Sequence, residues 1–522
     1  MTDSGRRVDD NTRRHLTQVA RGGALGLVGA GVSAISGFVL VLIVTNLYGS
    51  NDAGLFFTVT SAFMLMSAIA TLGTETGLGR FLLRYEAQDR RGDIPPTLRA
   101  AFRPTITYSV VIAIAVVVFA DPLAERLGLG DTGAACLQAL AAVLPLATWN
   151  ALTLAGTRAF GQMKATVLVD KIGRSAAQPL LVLLASLSAA GLLGMTIAWA
   201  APYAVSALVS AWLFRQFLRR RGTHEYREPT RSYRELKREF WRFTWPRSIT
   251  RISQMAIQRL DIILIAALRG PRDAAIYTAA TRFVALGQFG TQAIQQVLQP
   301  KFTALLASQE HQSLREVYQV SAAWSMIIAW PMYMIVAATP LAYLGLFGPE
   351  YSSNGVAVVL LMAGAMLFSV ASGPADTLLL MSGRSALSLM NSLAALALDV
   401  VLCVVLIPSM GIAGAALAWA IAVGIRNVLS LVQVRMMLSI VSFGPAAAIA
   451  GAANVLCFGA PLVLLELSTD LNIVTLALAL LVCVPLYVLA LWLGRHRLRL
   501  SVLRGLVRRA PARAAEGVAD DA

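Results

Sequence analysis

Apolar runs long enough to cross a lipid bilayer recur along this whole sequence. The hydrocarbon core of a bilayer, about 30 Å thick, needs roughly 20 apolar residues per helix. Fourteen such runs are predicted, near 24–46, 53–74, 104–120, 134–156, 174–190, 193–214, 244–268, 275–298, 319–346, 355–380, 386–407, 411–433, 443–465 and 472–493. Because these runs are long and do not alternate, they are helices rather than barrel strands. The sequence predicts an all-α polytopic membrane protein.

Composition agrees with this prediction and argues against several kinds of chemistry. Of the 522 residues, 57% are hydrophobic and only 14% are charged. The four cysteines lie inside apolar runs without CxxC spacing, which favours small buried apolar groups over metal ligands or disulfides. The sequence contains no P-loop. We therefore expect no metal, no cofactor and no ATP hydrolysis by that route.

The positions of the basic residues predict the orientation in the membrane. Lys and Arg prefer cytoplasmic loops. With the N-terminus inside, all but five of the 44 basic residues fall in cytoplasmic segments or at cytoplasmic helix ends. The exceptions are Arg126, Arg269 and Arg272 outside, and Arg259 and Arg282 within spans. We expect both termini in the cytoplasm, anionic lipid headgroups as partners of the basic linker, and no nucleic-acid partner.

A ten-residue stretch of the sequence occurs twice. LYGSNDAGLF at 47–56 returns 221 residues later as LRGPRDAAIY at 268–277, and further matches follow at offsets of 218 and 220. This spacing indicates a duplicated six-helix unit, and since six is even, the copies are parallel repeats. The predicted segments are 1–23 (N-terminal), 24–214 (first lobe), 215–243 (basic linker), 244–433 (second lobe), 434–493 (C-terminal helix pair) and 494–522 (basic tail).

The doubled stretch itself predicts a tight hairpin between two helices. Gly49 and Gly270 suit the C-cap of the first helix, and Asp52 and Asp273 suit the N-cap of the next. A structural role is therefore favoured over a binding role.

Two segments at the start of the first lobe carry a family resemblance. VTNLYGSNDAGLF and the following TLGTETGLGRFLLRY resemble the Wzx-type polysaccharide flippases of the multidrug, oligosaccharidyl-lipid and polysaccharide exporter (MOP) superfamily. The resemblance implies a V-shaped pair of lobes that opens alternately to either side and flips an undecaprenyl-diphosphate-linked glycan across the bacterial cytoplasmic membrane. It implies a transporter rather than an enzyme, with membrane lipids, a polysaccharide polymerase and other assembly proteins as partners. Residues 74–77 depart from the family pattern, so the resemblance does not identify the glycan.

Polar residues within two spans indicate a water-filled cavity, since charges inside a bilayer almost always face one another or water. In the seventh span they recur every three or four residues, on one helical face. The eighth span carries a similar glutamine stripe. The two stripes comprise Arg247, Arg251, Gln254, Gln258 and Asp261, and then Arg282, Gln288, Gln292, Gln295, Gln296 and Gln299.

Several of these side chains are candidates for binding a diphosphate, whose negative charges suit arginine. The predicted headgroup ligands are Arg259, Arg282, Arg251, Gln254, Gln258 and Gln292. Arg259 is favoured because it points nearly away from Asp261 and so has no local partner. Arg282 and Asp261 could instead form an ion pair, and Arg247 could snorkel to the membrane surface.

Three further ionisable residues, Asp376, Asp399 and Arg426, lie inside the predicted second lobe. Asp399 with Arg426 is the favoured ion pair, and a proton or sodium site at either carboxylate is the alternative. The coupling ion therefore stays open.

Three alternative functions differ in how well they fit the sequence. A membrane-embedded glycan polymerase or ligase is disfavoured because the outer loops are short. A cation-coupled multidrug exporter is disfavoured because four arginines and one aspartate give the cavity a positive charge. A lipid II flippase remains an alternative, because such relatives also use a cationic cavity and two extra C-terminal spans. The resemblance implies that these two spans hold the isoprenoid tail, and the alternative is that they merely pack against the second lobe or a partner subunit.

Overall fold

The computed structural model describes residues 3–188, 190–220, 228–440, 444–468 and 473–498, with side-chain surroundings from Leu25 onward. Helices make up nearly all of these residues, and the described part of the chain contains no strand. The all-α fold is confirmed.

The first lobe consists of six long helical stretches, as predicted. Its helices are α1 (Asp3–Leu47), α2 (Ser50–Ala70), α3 (Thr74–Ala87), α4 (Ile94–Val118), α5 (Ala120–Arg126), α6 (Gly130–Ala159), α7 (Met163–Ala165), α8 (Ser175–Leu187) and α9 (Gly191–Arg220). α2 and α3 form one stretch that is broken at Gly73, where a positive φ of 66° favours glycine. A π-helical turn, Thr166–Arg174, joins α7 to α8 in another.

The second lobe repeats this order. Its helices are α10 (Tyr233–Arg269), α11 (Pro271–Ala280), α12 (Arg282–Ala307), α13 (His311–Ala338), α14 (Pro340–Gly345), α15 (Pro349–Ala371), α16 (Ala375–Met381), α17 (Ser385–Met410) and α18 (Ile412–Leu438). The short helices α5 and α14 contain most of two further matching segments of the repeat, PLAERLG from Pro122 and PLAYLGL from Pro340. Proline at the first position of α11, α14 and α15 starts each helix without losing a backbone hydrogen bond.

The C-terminal pair packs on the second lobe. It consists of α19 (Pro445–Asn454), a π-helical turn (Val455–Gly459), α20 (Ala460–Ser468) and α21 (Ile473–Leu493). α19 packs along α13, and the hydroxyl of Tyr487 in α21 donates to the carbonyl oxygen of Ile327 at 3.0 Å. The predicted basic tail lies mainly outside the described residues.

Within the described chain, eleven helices are long and apolar enough to span a membrane. The other three long stretches, 163–187, α10 and α11–α12, coincide with the predicted fifth, seventh and eighth spans and carry more polar or charged residues. The helix that carries the predicted fifth span begins at Met163, eleven residues before the span predicted near 174–190.

The repeated stretches form tight helical hairpins, in which Gly270 is the C-cap of α10, as predicted, whereas the roles of Gly49, Asp52 and Asp273 differ from those predicted. Gly49 and Gly270 precede α2 and α11 as their N-caps, and Gly270 also ends α10 with a φ of 99°. Asp52 and Asp273 lie in the first turn and make no capping hydrogen bond. Asp273 instead pairs with Arg269, whose Nε lies 3.3 Å from its Oδ2.

The two lobes meet through α2 and α3 against α10 and α11, and through α1 against α12. The two hairpins touch at one end of the molecule, where a β-carbon on Gly54 would lie only 1.7 Å from the carbonyl oxygen of Pro271. We call this the hairpin end. At the opposite, linker end, Thr230 donates its backbone N–H to the buried Asp93 at 2.8 Å.

Candidate functional site

The polar stripe of α10 lies on an exposed face of the helix. Arg251, Gln254 and Gln258 are all exposed, whereas Ser253 and Ile257, on another face, are buried. This division follows the helical period, with polar residues three and four positions apart. Because polar and charged groups are costly in lipid, an exposed face of this kind in a membrane-spanning helix favours contact with water.

The stripe of α12 has the same character. Gln292, Gln296 and Gln299 are exposed, and Gln288 and Gln295 are half-buried. α12 packs on α1 and α13, while α10 packs on α2 and α17. The two helices that carry the polar stripes therefore contact different helices of the first lobe: α10 contacts α2, and α12 contacts α1.

Arg282, at the start of α12, reaches across to the first lobe. Its Nε and Nη2 both donate to the carbonyl oxygen of Gly37 in α1, each at 3.2 Å. Gly37 permits this contact, because a β-carbon there would lie 3.3 Å from Nη2. A predicted headgroup ligand thus lies at the contact between the lobes.

The ion pair between Asp261 and Arg282 is not formed. Asp261 is only 5% exposed and accepts hydrogen bonds from the hydroxyl of Tyr277 at 2.5 Å and from the backbone N–H of Ile262 at 2.8 Å. The carboxylate is thus satisfied by neutral donors in its own lobe, and Arg282 is free to bind the other lobe.

Arg259 is half-buried, and its Nε has no hydrogen-bond partner. It lies within electrostatic range of Tyr203 in the first lobe and of Asp261 and Arg282 in the second. No ion pair to Arg259 is formed by the described residues. The guanidinium of Arg259 thus has one buried donor without a partner, and the like charges of Arg259 and Arg282 act on each other.

A polar cluster in the first lobe was missed by the sequence interpretation. Arg174 pairs with Asp170, with Nε 2.6 Å from Oδ1, and its Nη1 donates to Gln178 at 3.2 Å and to the hydroxyl of Tyr203 at 3.3 Å. Its guanidinium carbon also lies 4.6 Å from the centre of the Tyr203 ring. Arg174 lies eleven residues into a helical stretch that begins at Met163, so it is well inside that stretch. The four-residue spacing between Asp170 and Arg174 is the feature of the sequence that could have indicated this ion pair.

The remaining ionisable residues of the second lobe do not pair as predicted. Asp399 is 2% exposed, and its nearest polar contact is the Sγ of Cys403 at 3.9 Å. Arg426 is half-buried and forms no ion pair with it among the described residues. Asp376 accepts a hydrogen bond from Ser388 at 2.5 Å. Asp399 does lie within electrostatic range of Asp261.

Comparison of the sequence with known protein families finds a match over the first lobe and part of the second. A family model described as "Polysaccharide biosynthesis protein" matches residues 19–306, more than half of the chain. The comparison with curated proteins gave no match.

Solved structures share the fold at low sequence identity. The lipid II flippase MurJ, in an inward closed conformation, has a TM-score of 0.72 at 11% identity, covering 90% of this chain and 98% of its own. An inward-facing multidrug resistance MATE family transporter of the MOP superfamily has a TM-score of 0.62 at 16% identity, covering 78% and 94%. A MOP superfamily transporter from Pyrococcus furiosus has a TM-score of 0.55 at 16% identity, covering 81% and 95%. The predicted two-lobe layout is therefore that of the MOP fold.

Proposed function

The chain belongs to the polysaccharide biosynthesis protein family, and on that basis we propose that it flips an undecaprenyl-diphosphate-linked oligosaccharide across the bacterial cytoplasmic membrane. The oligosaccharide would serve the synthesis of a cell-surface polysaccharide. The two-lobe fold supports alternating access, in which each lobe would move largely as a unit about the site between them.

The observation that carries the proposal is the incomplete pairing of Arg259. Its Nε is buried without a partner, and Arg282 and Tyr203 lie nearby. A buried donor without an acceptor is costly, as is a second cation beside it. A diphosphate would supply acceptor oxygens and negative charge to both guanidinium groups. Arg251, Gln254, Gln258 and Gln292 would contact the cargo along the exposed stripes.

The membrane orientation belongs to the same proposal. Basic residues are concentrated at the linker end and in the tail, which favours a cytoplasmic position for the linker and both termini. The headgroup would then be taken up at the linker end and released at the hairpin end.

The C-terminal pair would accommodate the isoprenoid. α21 carries large exposed apolar side chains, including Leu481 at 70% and Leu493 at 68% exposed. Such a surface suits either a lipid chain or bulk lipid. A photo-crosslinkable polyprenyl diphosphate is expected to label α19 to α21 through its tail and α10 through its headgroup.

The test is an Arg259→Ala variant in a strain that lacks its own polysaccharide flippase. We expect membrane abundance near that of the unaltered protein, with complementation abolished. Arg234→Ala is the matched control, because Arg234 is an exposed arginine on the same helix, and it should complement fully. Normal transport by Arg259→Ala would mean that the headgroup binds elsewhere.

Purified protein in proteoliposomes separates this cargo from lipid II, the alternative substrate. Flipping of a polyprenyl-diphosphate-linked oligosaccharide in preference to lipid II is expected. The reverse preference would replace the proposed substrate while leaving the role of Arg259 intact.

A further inference from the structure

A groove lies on the first lobe, with α6 as its floor and α4 and α9 as its walls. Its volume is about 600 Å³, and the lining includes Phe102, Ile106, Trp149, Phe214 and Leu218. α4 and α9 both pack closely on α6. None of the polar-stripe residues of α10 and α12 lines it, so the groove is separate from the proposed cargo site.

Aromatic side chains shape the apolar part of the groove. Phe102 of α4 stacks on Phe214 of α9, with ring centres 6.1 Å apart and planes within 4°. Trp149 of α6 meets Phe102 edge-on at 5.5 Å. The neighbouring outward residues Val205, Leu208 and others of α9 are exposed and apolar, so this side of the lobe faces lipid.

Three arginines surround the groove. Arg99 and Arg103, one turn apart on α4, and Arg215 on α9 all line it and are exposed. None of the three pairs with a carboxylate among the described residues. Three positive charges around an apolar groove are complementary to a ligand that carries both a negative headgroup and a hydrocarbon chain.

The arginines lie near those ends of α4 and α9 that are closest to the linker, where we expect a lipid headgroup layer. Arg99 and Arg103 follow the start of α4 by five and nine residues, and Arg215 precedes the end of α9 by five. These distances are within about 14 Å along the helices. α4 begins at the linker end, where Trp241 of α10 donates its Nε1–H to the carbonyl oxygen of Ala100 at 3.1 Å. The deeper residues Ile106 and Trp149 then lie alongside the acyl region.

We propose that this groove binds one anionic phospholipid, with its phosphate held by Arg99, Arg103 and Arg215 and an acyl chain lying against Phe102 and Trp149. A zwitterionic phospholipid carries its own cation beside the phosphate, which weakens the attraction to arginine. Arginine also forms planar, paired hydrogen bonds with phosphate oxygens. The site holds the lipid by charge at one end and by apolar contact at the other.

The first experiment measures lipid retention on the full chain by native mass spectrometry, with phosphatidylglycerol and phosphatidylcholine offered in equal amounts. We expect a several-fold preference for one phosphatidylglycerol molecule. The variant R99Q/R103Q/R215Q should lose this preference. The matched control R234Q/K237Q/R238Q removes three exposed basic residues from the start of α10 and should retain it. Equal loss in both variants would reduce the effect to general surface charge and overturn the site.

A second measurement needs no arginine variant. Phosphatidylglycerol with brominated acyl chains should quench the fluorescence of Trp149, and this quenched fraction should be absent from Trp149→Phe. Brominated phosphatidylcholine should quench Trp149 less. Equal quenching by both lipids would overturn the proposal, as would displacement of phosphatidylglycerol by an equimolar polyprenyl diphosphate, which would assign the groove to the cargo.

Discussion

The guanidinium of Arg282 binds the backbone carbonyl oxygen of Gly37 across the contact between the lobes, with Nε and Nη2 each 3.2 Å from that oxygen. A cation from the second lobe is thus held by a dipole of the first. The acceptor carries no full charge, so a diphosphate can compete for the same guanidinium. The contact is therefore suited to break when cargo binds, which would link headgroup binding to a movement of α1 against α12.

The first prediction tests this contact with Gly37→Leu. The new side chain must occupy space near Nη2, because even a β-carbon would lie 3.3 Å from it. Losing hydrogen bonds from a charged group costs about 1.5–3 kcal/mol, so we expect transport to fall about tenfold or more. The control is Gly364→Leu, since a β-carbon at Gly364 meets nothing within 4 Å. Equal transport by the two variants would contradict a role for the contact.

The second prediction concerns the hairpin end. Gly54→Ala places a β-carbon 1.7 Å from the carbonyl oxygen of Pro271, and because that atom belongs to the backbone, whole helices must move apart. Overpacking of this kind costs about 1–3 kcal/mol or more. We expect a lower melting temperature in detergent. Gly79→Ala, inside α3, meets nothing within 4 Å, and because alanine favours a helix interior more than glycine does, this variant should not melt at a lower temperature.

The sequence predicted most of the architecture, because that depends on features read along the chain. Apolar length located the long helices, and the repeat of LYGSNDAGLF located both hairpins. The pairing of Asp170 with Arg174 inside the helix that carries the fifth span was not predicted. The hydrophobic pattern alone does not record such pairing.

Partners of buried ionisable groups were not predictable from spacing. Asp261 accepts a hydrogen bond from the hydroxyl of Tyr277. Tyr277 belongs to the repeated stretch, for which the sequence predicted only a hairpin. Arg282 is satisfied by a backbone carbonyl 245 residues away. The partner of a buried ionisable group depends on how the helices pack in three dimensions. A backbone acceptor cannot be identified from the amino-acid sequence, because every residue has a backbone carbonyl.

A third prediction tests the pair missed by the sequence. Removing one member of a partly buried ion pair leaves the charge of the other unbalanced, which is destabilising. Arg174 is 15% exposed and Asp170 29% exposed in their side chains. We expect Arg174→Gln and Asp170→Asn each to lower the melting temperature, and the double variant to be more stable than the sum of the two losses implies. Additive losses would show that the pair contributes no coupling energy.

A fourth prediction is topological. Reporter domains inserted between α9 and α10, or fused after Arg499, should both lie in the cytoplasm, since basic residues mark both regions. A reporter in the turn at Gly191, between α8 and α9, should lie outside. An external signal from either of the first two fusions would reverse the proposed direction of transport.

The fifth prediction concerns Asp261 and Asp399, two buried carboxylates within electrostatic range of each other and without a Lys or Arg in ion-pair contact among the described residues. Like charges in a buried site repel, so a proton or sodium ion between them would stabilise the lobe. Asp399→Asn removes one of these charges. In proteoliposomes we expect this variant to lose the acceleration of transport by an imposed proton or sodium gradient, while exchange of cargo without a gradient continues. Asp376→Asn is the control, because Asp376 is half-buried and already binds Ser388, and it should respond to the gradient as the unaltered protein does. If Asp399→Asn still responds fully, the coupling ion binds at another site.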